Sequence, residues 1–259
     1  MKRAIELGFD YVATGHYACI EQNEQGRWLL KKAPAAKDQS YVLYSLTQFQ
    51  LEHTLLPLAS YTKPQIRAIA QEAGLIVANK PDSQEICFVP DKDYAGFIER
   101  YTGKKAEPGQ FVDEHGTVLG THKGIAHYTI GQRKGLNIGG PGDAWFVVGK
   151  EYDENILYVC QGDQNDWLMS EGALITDVNW ISSLRPEDDF TCTAKFRYRQ
   201  KDNDVSVHFV DETTIYVTFK QPIKAVTPGQ AAVFYNADVC LGGGTIEKVY
   251  KDQKEITYL

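Results

Sequence analysis

The stretch F-D-Y-V-A-T-G-H at residues 9–16 decides the fold predicted for the first part of the chain. Its apolar run predicts a short buried strand, and the polar Thr14-Gly15-His16 string follows that strand directly. In doubly wound α/β sheets, ligands bind beyond the carboxyl ends of the strands. We therefore predict that Gly15 lets a ligand approach the backbone and that His16 donates a hydrogen bond to it. A turn glycine beside a solvent-facing histidine is the alternative.

Helix and strand signals alternate around this stretch. The clearest helix has a capping box at Thr62 and Gln65, Pro64 in its first turn and Gly74 at its end. Such alternation indicates a mostly parallel α/β sheet, of which residues 1–92 form the back part. The other elements predicted here are a helix ending at Gly8, a hairpin over 19–32 turning at 23–26, a helix over 40–49 and a strand over 86–89.

The character of the sequence changes after a predicted helix over 94–101. From Pro108 onward, Gly and Pro separate short β-branched and aromatic runs, which is typical of small antiparallel sheets or barrels. The alternation is clearest in 191–198 and 214–219, and it favours a β-barrel. The predicted organisation is an α/β domain over 1–92, a central β-rich domain over 93–172 and a C-terminal β-barrel over 173–259.

Charge and cysteine usage limit the classes of function. The net charge is −7 and the acidic excess lies in 93–259, which disfavours non-specific binding of nucleic acid. No apolar run reaches the roughly 20 residues that a membrane helix needs, and residues 1–8 do not resemble a signal peptide. The five cysteines lack metal-ligand spacing, which predicts no structural zinc site, and their odd number favours a reducing, cytoplasmic location.

Two segments concentrate positive charge. If residues 195–201 form an alternating strand, their four cations face one side and their aromatic side chains face the other. A cationic stripe beside aromatic rings suits RNA binding, and a solvated strand face is the alternative. The second segment is the glycine-containing loop 128–136, predicted to be mobile, in which Arg133 and Lys134 either order on a polyanion or belong to a generic surface loop.

Two further strings carry candidate chemistry. Cys87 lies in the run P-D-S-Q-E-I-C-F-V at 81–89, where it is either a small buried hydrophobe or a nucleophile beside a polar substrate-holding string. No histidine adjacent in sequence supports a protease-like pair. In the string K-D-Q-S at 37–40, Asp38 or Ser40 caps the following helix, and Lys37 at a helix N-terminus suits a nucleic-acid phosphate. These last two interpretations are compatible.

Seven strings stand out along the chain: A-T-G-H-Y-A at 13–18, K-D-Q-S-Y at 37–41, D-S-Q-E-I-C-F at 82–88, Y-T-I-G-Q-R-K-G-L at 128–136, R-Y-R-Q at 197–200, T-P-G-Q at 227–230 and C-L-G-G-G at 240–244. Together and in this order they resemble the bacterial tRNA-specific 2-thiouridylase family. Members of that family replace the C2 oxygen of the wobble uridine of certain tRNAs with sulfur.

The resemblance implies a partial Rossmann-like ATP-pyrophosphatase domain, a small central β-rich domain and a C-terminal β-barrel. It implies ATP with Mg²⁺, which activates the uridine carbonyl as an adenylate, a sulfur-donor persulfide carrier protein and a disulfide bond. Cys87 matches the persulfide-carrying catalytic cysteine, Gly15 matches an ATP contact, and no residue matches a metal ligand. The matches to tRNA contacts are His16, Lys37, Asp38, Gln39, Arg197, Tyr198 and Gln230.

The match departs from the family pattern in two respects. The family's S-G-G-x-D-S phosphate loop and second catalytic cysteine lie upstream of the string at 13–18, so we expect an N-terminally truncated chain that is inactive alone. Glu85 replaces a glycine and places a charge beside the thiol of Cys87. The main hypothesis is a tRNA-uridine 2-sulfurtransferase without its ATP phosphate loop. The rivals are a non-catalytic tRNA-binding remnant and a poorly folded product with half a sheet.

Overall fold

The structure, a computed structural model, describes residues 1–34, 37–80, 89, 93–186 and 189–259. Strands dominate these ranges, and none of their helices has the length and apolar character needed to cross a membrane. The chain divides into two compact units. The first contains residues 1–80, 172–221 and 228–248, and the second contains the described residues of 81–171 with 222–227 and 249–259. The domain boundaries predicted at 92 and 172 stay predictions.

The α/β segment occupies the first 80 residues. Its elements are α1 (Lys2–Glu6), β1 (Val12–Ala13), β2 (Ala18–Gln22), β3 (Trp28–Lys32), α2 (Gln48–Glu52), β4 (Thr54–Leu55) and α3 (Lys63–Glu72), with 3-10 turns at Ser40–Leu43 and Ile76–Asn79. β1 and β4 pair in parallel, and β2 and β3 form the predicted hairpin. The predicted first helix is also present, since α1 ends shortly before Gly8, whose φ is +79°.

The helix α3 begins where its capping box predicts. The backbone N–H of Thr62 donates to Gln65 Oε1 at 2.7 Å, and Pro64 lies in the first turn. The helix runs to Glu72, and Gly74 follows with a φ of +67°, a conformation that glycine adopts without strain. These signals act within a few residues of one another, and the prediction is confirmed.

The helix predicted over 40–49 is wrong, because two shorter elements occupy this part of the chain. A 3-10 turn covers Ser40–Leu43, and α2 begins only after Thr47. Gln50 N–H donates to Thr47 Oγ1 at 3.3 Å, and Thr47 N–H donates to Gln50 Oε1 at 2.9 Å. A capping residue takes extended dihedrals, and the φ of −89° and ψ of 167° at Thr47 interrupt any helix through it.

The second unit is built on a helix and a sheet of four strands. Its elements are α4 (Tyr94–Thr102), β5 (Gly109–Val112), β6 (Val118–His122), β7 (Trp145–Glu151) and β8 (Ile156–Gln161). The order of the strands in the sheet is β6-β5-β8-β7. Asp93 caps α4 by accepting a hydrogen bond from Gly96 N–H at 2.9 Å, and Gly103 ends the helix with a φ of +69°. The predicted helix over 94–101 and the β-rich character after it are both present.

The loop 128–136 packs against the core of the second unit. Three of its apolar side chains are buried in the core of the unit, and Gly131 N–H donates to the Val147 carbonyl at 2.7 Å. Arg133 and Lys134 are exposed. The loop expected to be mobile is therefore held by its apolar residues, and binding of a polyanion at its two cations stays a prediction.

A closed barrel, most of whose residues belong to the first unit, confirms the predicted C-terminal β-barrel. Its strands are β9 (Met169–Trp180), β10 (Phe190–Lys195), β11 (Asn203–Phe209), β12 (Ile215–Lys224), β13 (Ala231–Asn236) and β14 (Val239–Lys251), and β15 (Lys254–Glu255) pairs with β14. The ring order is β13-β10-β11-β12-β9-β14, and β14 pairs again with β13. Phe196 and Phe219 pack inside the barrel with ring centroids 4.7 Å apart. The β2–β3 hairpin joins β14, where Leu30 lies opposite Cys240.

The glycines of the string 240–244 are explained by close backbone approach within the barrel. A Cβ at Gly242 would lie 2.0 Å from the Asn179 carbonyl oxygen, and one at Gly244 would lie 2.5 Å from the Thr176 carbonyl oxygen. Both oxygens belong to β9, against which β14 packs. These positions therefore need glycine so that the barrel can close.

We expect Gly244→Ala to lower the free energy of unfolding by about 1–3 kcal/mol, because the added methyl overpacks β14 against β9. Gly139→Ala is the matched control, since neither glycine has a positive φ and a Cβ at Gly139 meets no atom within 4 Å. Urea denaturation of the two variants measures the difference. Equal stability of the two variants would contradict the packing explanation.

His122 is the buried histidine of the second unit, with an exposed fraction of 1%. Gly124 N–H donates to its Nδ1 at 3.0 Å, so the neutral ring carries its proton on Nε2, which lies 3.1 Å from the Asn155 carbonyl oxygen. Burial lowers the pKa of His122 below its ordinary value of 6.5. The fold therefore favours the neutral imidazole.

The lowered pKa of His122 predicts a pH-dependent stability. The unfolded chain binds more protons as the pH falls below about 6.5, so the stabilisation by the neutral ring is lost toward acidic pH. We expect His122→Gln to cost about 1–3 kcal/mol near neutral pH and progressively less as the pH falls toward about 5. Denaturation at several pH values measures this difference. His115→Gln, which removes a histidine side chain that is 78% exposed, is the matched control. A constant cost for His122→Gln would refute the assignment.

Candidate nucleic-acid interface

The strand-end string at 14–16 lies beyond β1. Thr14 N–H donates to the Leu55 carbonyl at 3.1 Å, which extends the parallel pairing by one residue. His16 Nδ1 lies 2.9 Å from Thr14 Oγ1, so the hydroxyl orients the partly buried imidazole. Gly15 between them is exposed. The geometry thus presents the backbone of Gly15 and an oriented histidine at the end of a strand.

Tyr17 and Gln39 join this string to the segment 37–41. Tyr17 N–H donates to Gln39 Oε1 at 3.0 Å, and Gln39 N–H donates to the Tyr17 carbonyl at 2.7 Å. The Nζ of Lys37, an exposed residue, lies 5.9 Å from the centroid of the Tyr17 ring, within the range of a cation–π contact. Residues that are separated by over 20 positions in the sequence therefore share one surface.

Asp38 points into the protein and organises its own segment. Its Oδ1 accepts hydrogen bonds from Ala33 N–H at 3.2 Å and Ser40 N–H at 3.0 Å, and its Oδ2 accepts one from Ser40 Oγ at 2.9 Å. Lys195 Nζ lies 3.7 Å from Oδ2, and the Asp38 side chain is only 15% exposed. The protein itself thus supplies partners for both carboxylate oxygens of Asp38. A direct contact of Asp38 with tRNA stays a prediction.

Tyr41 ties the segment 37–41 to the barrel. Its hydroxyl donates to the Ala231 carbonyl at 2.8 Å, and its ring centroid lies 6.0 Å from that of Tyr198. Burial raises the pKa of Tyr41 to about 12, which keeps the hydroxyl protonated and able to donate. Gln230, the neighbour of Ala231, is exposed. Sequence reasoning did not single out Tyr17 and Tyr41 as joining residues, although both lie inside the strings that carry the family resemblance.

Arg197 completes this region, since it is half-buried and interacts electrostatically with Tyr41. Burial lowers the pKa of the Arg197 guanidinium from its ordinary value of 12.5. An arginine remains charged in proteins all the same. Contacts through Tyr17 and Tyr41 in the first unit therefore connect the segments that carry His16, Lys37, Asp38, Gln39, Arg197 and Tyr198. Gly15 and Gln230 are chain neighbours of residues in this set, and the individual roles of all eight residues stay predictions.

The cationic stripe predicted over 195–201 is wrong. Strand β10 ends at Lys195, and Gln200 N–H donates to the Arg197 carbonyl at 3.0 Å to close a tight turn. Phe196 N–H is bonded to Gln200 Oε1 at 2.8 Å, and the Phe196 ring is buried. A turn cannot keep the alternation of a strand, so the four cations do not form one row. Lys195 is largely buried, whereas Lys201 is exposed.

Cys87, the catalytic prediction, lies outside the described residues, as do its polar neighbours in 82–85. The four described cysteines, Cys19, Cys160, Cys192 and Cys240, are free thiols, so no disulfide joins them. Burial raises the pKa of Cys160, Cys192 and Cys240 to about 12. The thiolate is the nucleophilic form of cysteine, and these three thiols are therefore poorly suited to chemistry at neutral pH.

Gly15 is the described residue that the resemblance assigns to ATP. Its φ is not positive, and a Cβ there would lie 3.6 Å from Leu58 Cδ1, an ordinary contact, so the protein itself does not require glycine. A glycine at this position fits close approach of a ligand to the backbone. Within the described ranges no group of three or more His, Cys, Asp or Glu side chains could hold a metal ion. The described residues thus fit one ATP contact but do not form a Mg²⁺ site.

Three family models match the chain in order, and they define its class. They are the tRNA methyl transferase HUP domain over 1–91, the tRNA methyl transferase PRC-barrel domain over 95–161 and the aminomethyltransferase β-barrel domain over 170–246. An α/β domain of HUP type is thus followed by a PRC-barrel domain and a C-terminal barrel domain. The predicted fold class is confirmed.

Curated relatives narrow the class to one family. The tRNA-specific 2-thiouridylase MnmA of Bacillus cytotoxicus is 49% identical over 259 residues, which are 100% of this chain and 69% of that protein. The proteins of the same name from Bacillus cereus and Bacillus thuringiensis show the same identity and coverage. The chain belongs to the tRNA-specific 2-thiouridylase family.

The raised pKa values of Cys160, Cys192 and Cys240 predict selective alkylation. At about pH 8, we expect iodoacetamide to label Cys160, Cys192 and Cys240 of the native chain about 10³-fold more slowly than an unperturbed thiol, because so little thiolate is present. Peptide mass spectrometry over time measures the rates, and the same chain in urea, where all thiols should react alike, is the control. Rapid native labelling of any of the three would contradict the burial argument.

Proposed function

We propose that the chain acts in sulfur transfer to C2 of the wobble uridine of tRNA, with Cys87 as the persulfide-carrying residue. The observation that carries the proposal is 49% identity over the whole chain with proteins named tRNA-specific 2-thiouridylase. The sequence around Cys87, D-S-Q-E-I-C-F, is one of the strings behind the family resemblance. The partners of this reaction are tRNA and a persulfide carrier protein that donates the sulfur.

The proposed reaction forms a carbon–sulfur bond and a disulfide bond, and it breaks the C2–oxygen bond of the activated uridine and the sulfur–sulfur bond of the persulfide. The terminal sulfur of the Cys87 persulfide attacks C2 of the uridine, and the former carbonyl oxygen leaves with AMP. ATP is the cosubstrate for this activation: its adenylyl group is transferred to the uridine oxygen, and pyrophosphate is released. A second thiol then attacks the Cys87 sulfur, which releases the thiouridine and leaves a disulfide. A persulfide suits the attack because sulfur is soft and strongly nucleophilic.

The geometry of the first unit supports the proposed binding of tRNA. His16 and Gln39 belong to two segments that are joined through Tyr17, and Tyr41 connects the second segment to the barrel. Exposed Lys37 adds a cation of the kind that phosphate contacts use. The aromatic ring of Tyr198, which is partly exposed, offers a stacking surface for an unpaired base.

A non-catalytic tRNA-binding remnant is the second candidate. The observation that favours it is that predicted tRNA contacts among the described residues come together through Tyr17, Gln39 and Tyr41. Under this alternative the chain binds tRNA and accepts no sulfur. Persulfide chemistry therefore separates the two candidates.

We expect treatment of the chain with a cysteine desulfurase and cysteine to add one sulfur atom at Cys87, as measured by peptide mass spectrometry. Cys87→Ser should lose the adduct and keep its affinity for tRNA, because the predicted contacts do not include the thiol. Cys192→Ser, which removes a partly buried thiol, is the matched control and should keep the adduct. Absence of an adduct at Cys87 with intact tRNA binding would favour the non-catalytic candidate.

A further inference from the structure

Four charged side chains of alternating sign lie in a row that begins in the segment 37–41. In order they are Asp38, Lys195, Asp202 and Lys32. Lys195 Nζ is 3.7 Å from Asp38 Oδ2 and 3.7 Å from Asp202 Oδ1. Lys32 Nζ forms an ion pair with the other carboxylate oxygen of Asp202. The row thus links the end of β3, the segment 37–41, the end of β10 and the residue just before β11.

The row is shielded from water. The side chain of Lys195 is 13% exposed, that of Lys32 18% and that of Asp202 33%. Charge pairs in such surroundings are screened by salt much less than exposed pairs. Removal of one partner leaves the other charge partly buried without its counter-charge, which destabilises the arrangement strongly.

Tyr235 closes the row into a ring of contacts. Its ring is fully buried, and its centroid lies 4.2 Å from Lys32 Nζ and 5.4 Å from Lys195 Nζ. Its hydroxyl is 3.2 Å from Ser40 Oγ, and that Oγ donates to Asp38 Oδ2 at 2.9 Å. A path that leaves Asp38 through Lys195 therefore returns to it through Tyr235 and Ser40.

We infer that Lys195 and Asp202 are positioning residues that hold the segment 37–41 against the barrel for tRNA binding, and that Lys195 does not itself contact RNA. The inference rests on the proposed function, because that segment carries predicted tRNA contacts. The charges support it, since two lysines and two aspartates cancel and offer a polyanion no net attraction. Lys195 is thereby assigned a place beneath the RNA-facing residues, where it contacts Asp38 and Asp202.

The first test needs no RNA, because it follows the amide hydrogens of Gln39 and Ser40 in the free chain. Gln39 N–H is bonded to the Tyr17 carbonyl at 2.7 Å and Ser40 N–H to Asp38 Oδ1 at 3.0 Å. In Lys195→Met we expect hydrogen exchange at both amides to be at least about tenfold faster, because the segment opens more often. Lys195→Arg, which keeps the charge, should restore slow exchange.

The matched control for exchange is Lys220→Met. Lys220 pairs with Asp204 at 3.6 Å on the same barrel, but the two side chains are 72% and 63% exposed. Exposed pairs contribute little, so this variant should leave exchange at Gln39 and Ser40 unchanged. If Lys195→Met does not fold, the same measurement is made on Asp202→Asn. Exchange equal to that of the wild type in the folded variant would overturn the positioning role.

The second test uses the sign of a charge change. Removal of a carboxylate should tighten binding to a polyanion if charge alone mattered, whereas loss of positioning should weaken it. We expect Asp202→Asn to bind tRNA at least about tenfold more weakly, and combination with Lys195→Met to weaken it little further, because both act through one network. Asp204→Asn is the control and should not weaken binding.

Two outcomes would overturn the inference in the binding test. They are unchanged or tighter tRNA binding by Asp202→Asn, and full additivity of Asp202→Asn with Lys195→Met. Failure of the wild-type chain to bind any tRNA would instead count against the proposed function. In that case the exchange rates at Gln39 and Ser40 would still decide whether Lys195 positions the segment.

Discussion

The carboxylate of Asp38 is the group on which the candidate interface depends. An ionised oxygen pair that is largely removed from water must be supplied with donors, and Asp38 receives them from Ala33, Ser40 and Lys195. Two of these donors lie within five residues, and the third comes from the barrel. The segment 37–41 therefore cannot leave the barrel without separating a shielded ion pair. The attachment of Asp38 also fixes the positions of its chain neighbours Lys37 and Gln39.

The barrel is the rigid surface, or wall, to which the segment 37–41 is attached. Its six strands close completely, and the glycines at 242–244 allow β14 to approach its neighbours at distances that a side chain would prevent. Tyr41 and Tyr235 fasten the segment to this wall at two further points, through Ala231 and Ser40. A closed barrel is well suited to this purpose because its strands have no free edge that could shift.

Local signals predicted much of the fold, because the residues that decide a cap or a turn are near neighbours. The capping box at Thr62 and the hairpin over 19–32 are present, and the alternating C-terminal strands form a barrel. The helix over 40–49 failed because a capping interaction at Thr47 competes with the apolar periodicity. The strand over 195–201 failed because an alternating pattern does not reveal where a turn begins.

The sequence supplied the candidate residues of the site, whose roles stay predictions, but it did not predict the contacts that join them. Gly15, His16 and the string 37–40 were found because their residue types are unusual at such positions. Their joining through Tyr17 and the pairing of Lys32 with Asp202 connect residues that are far apart in the sequence, and no spacing rule predicts such contacts. Lys195 illustrates the difficulty, since a buried positioning lysine and an RNA-facing lysine look alike in sequence.

The central claim is that segments of the α/β part and of the barrel together form one tRNA-binding surface. Hydrogen–deuterium exchange of the chain with and without tRNA tests this claim most directly. The account predicts that tRNA protects the backbone amides of 14–17, 37–41 and 196–200 over the same range of tRNA concentration. Protection confined to the loop around Arg133 and Lys134, or protection of only one of the three segments, would contradict it.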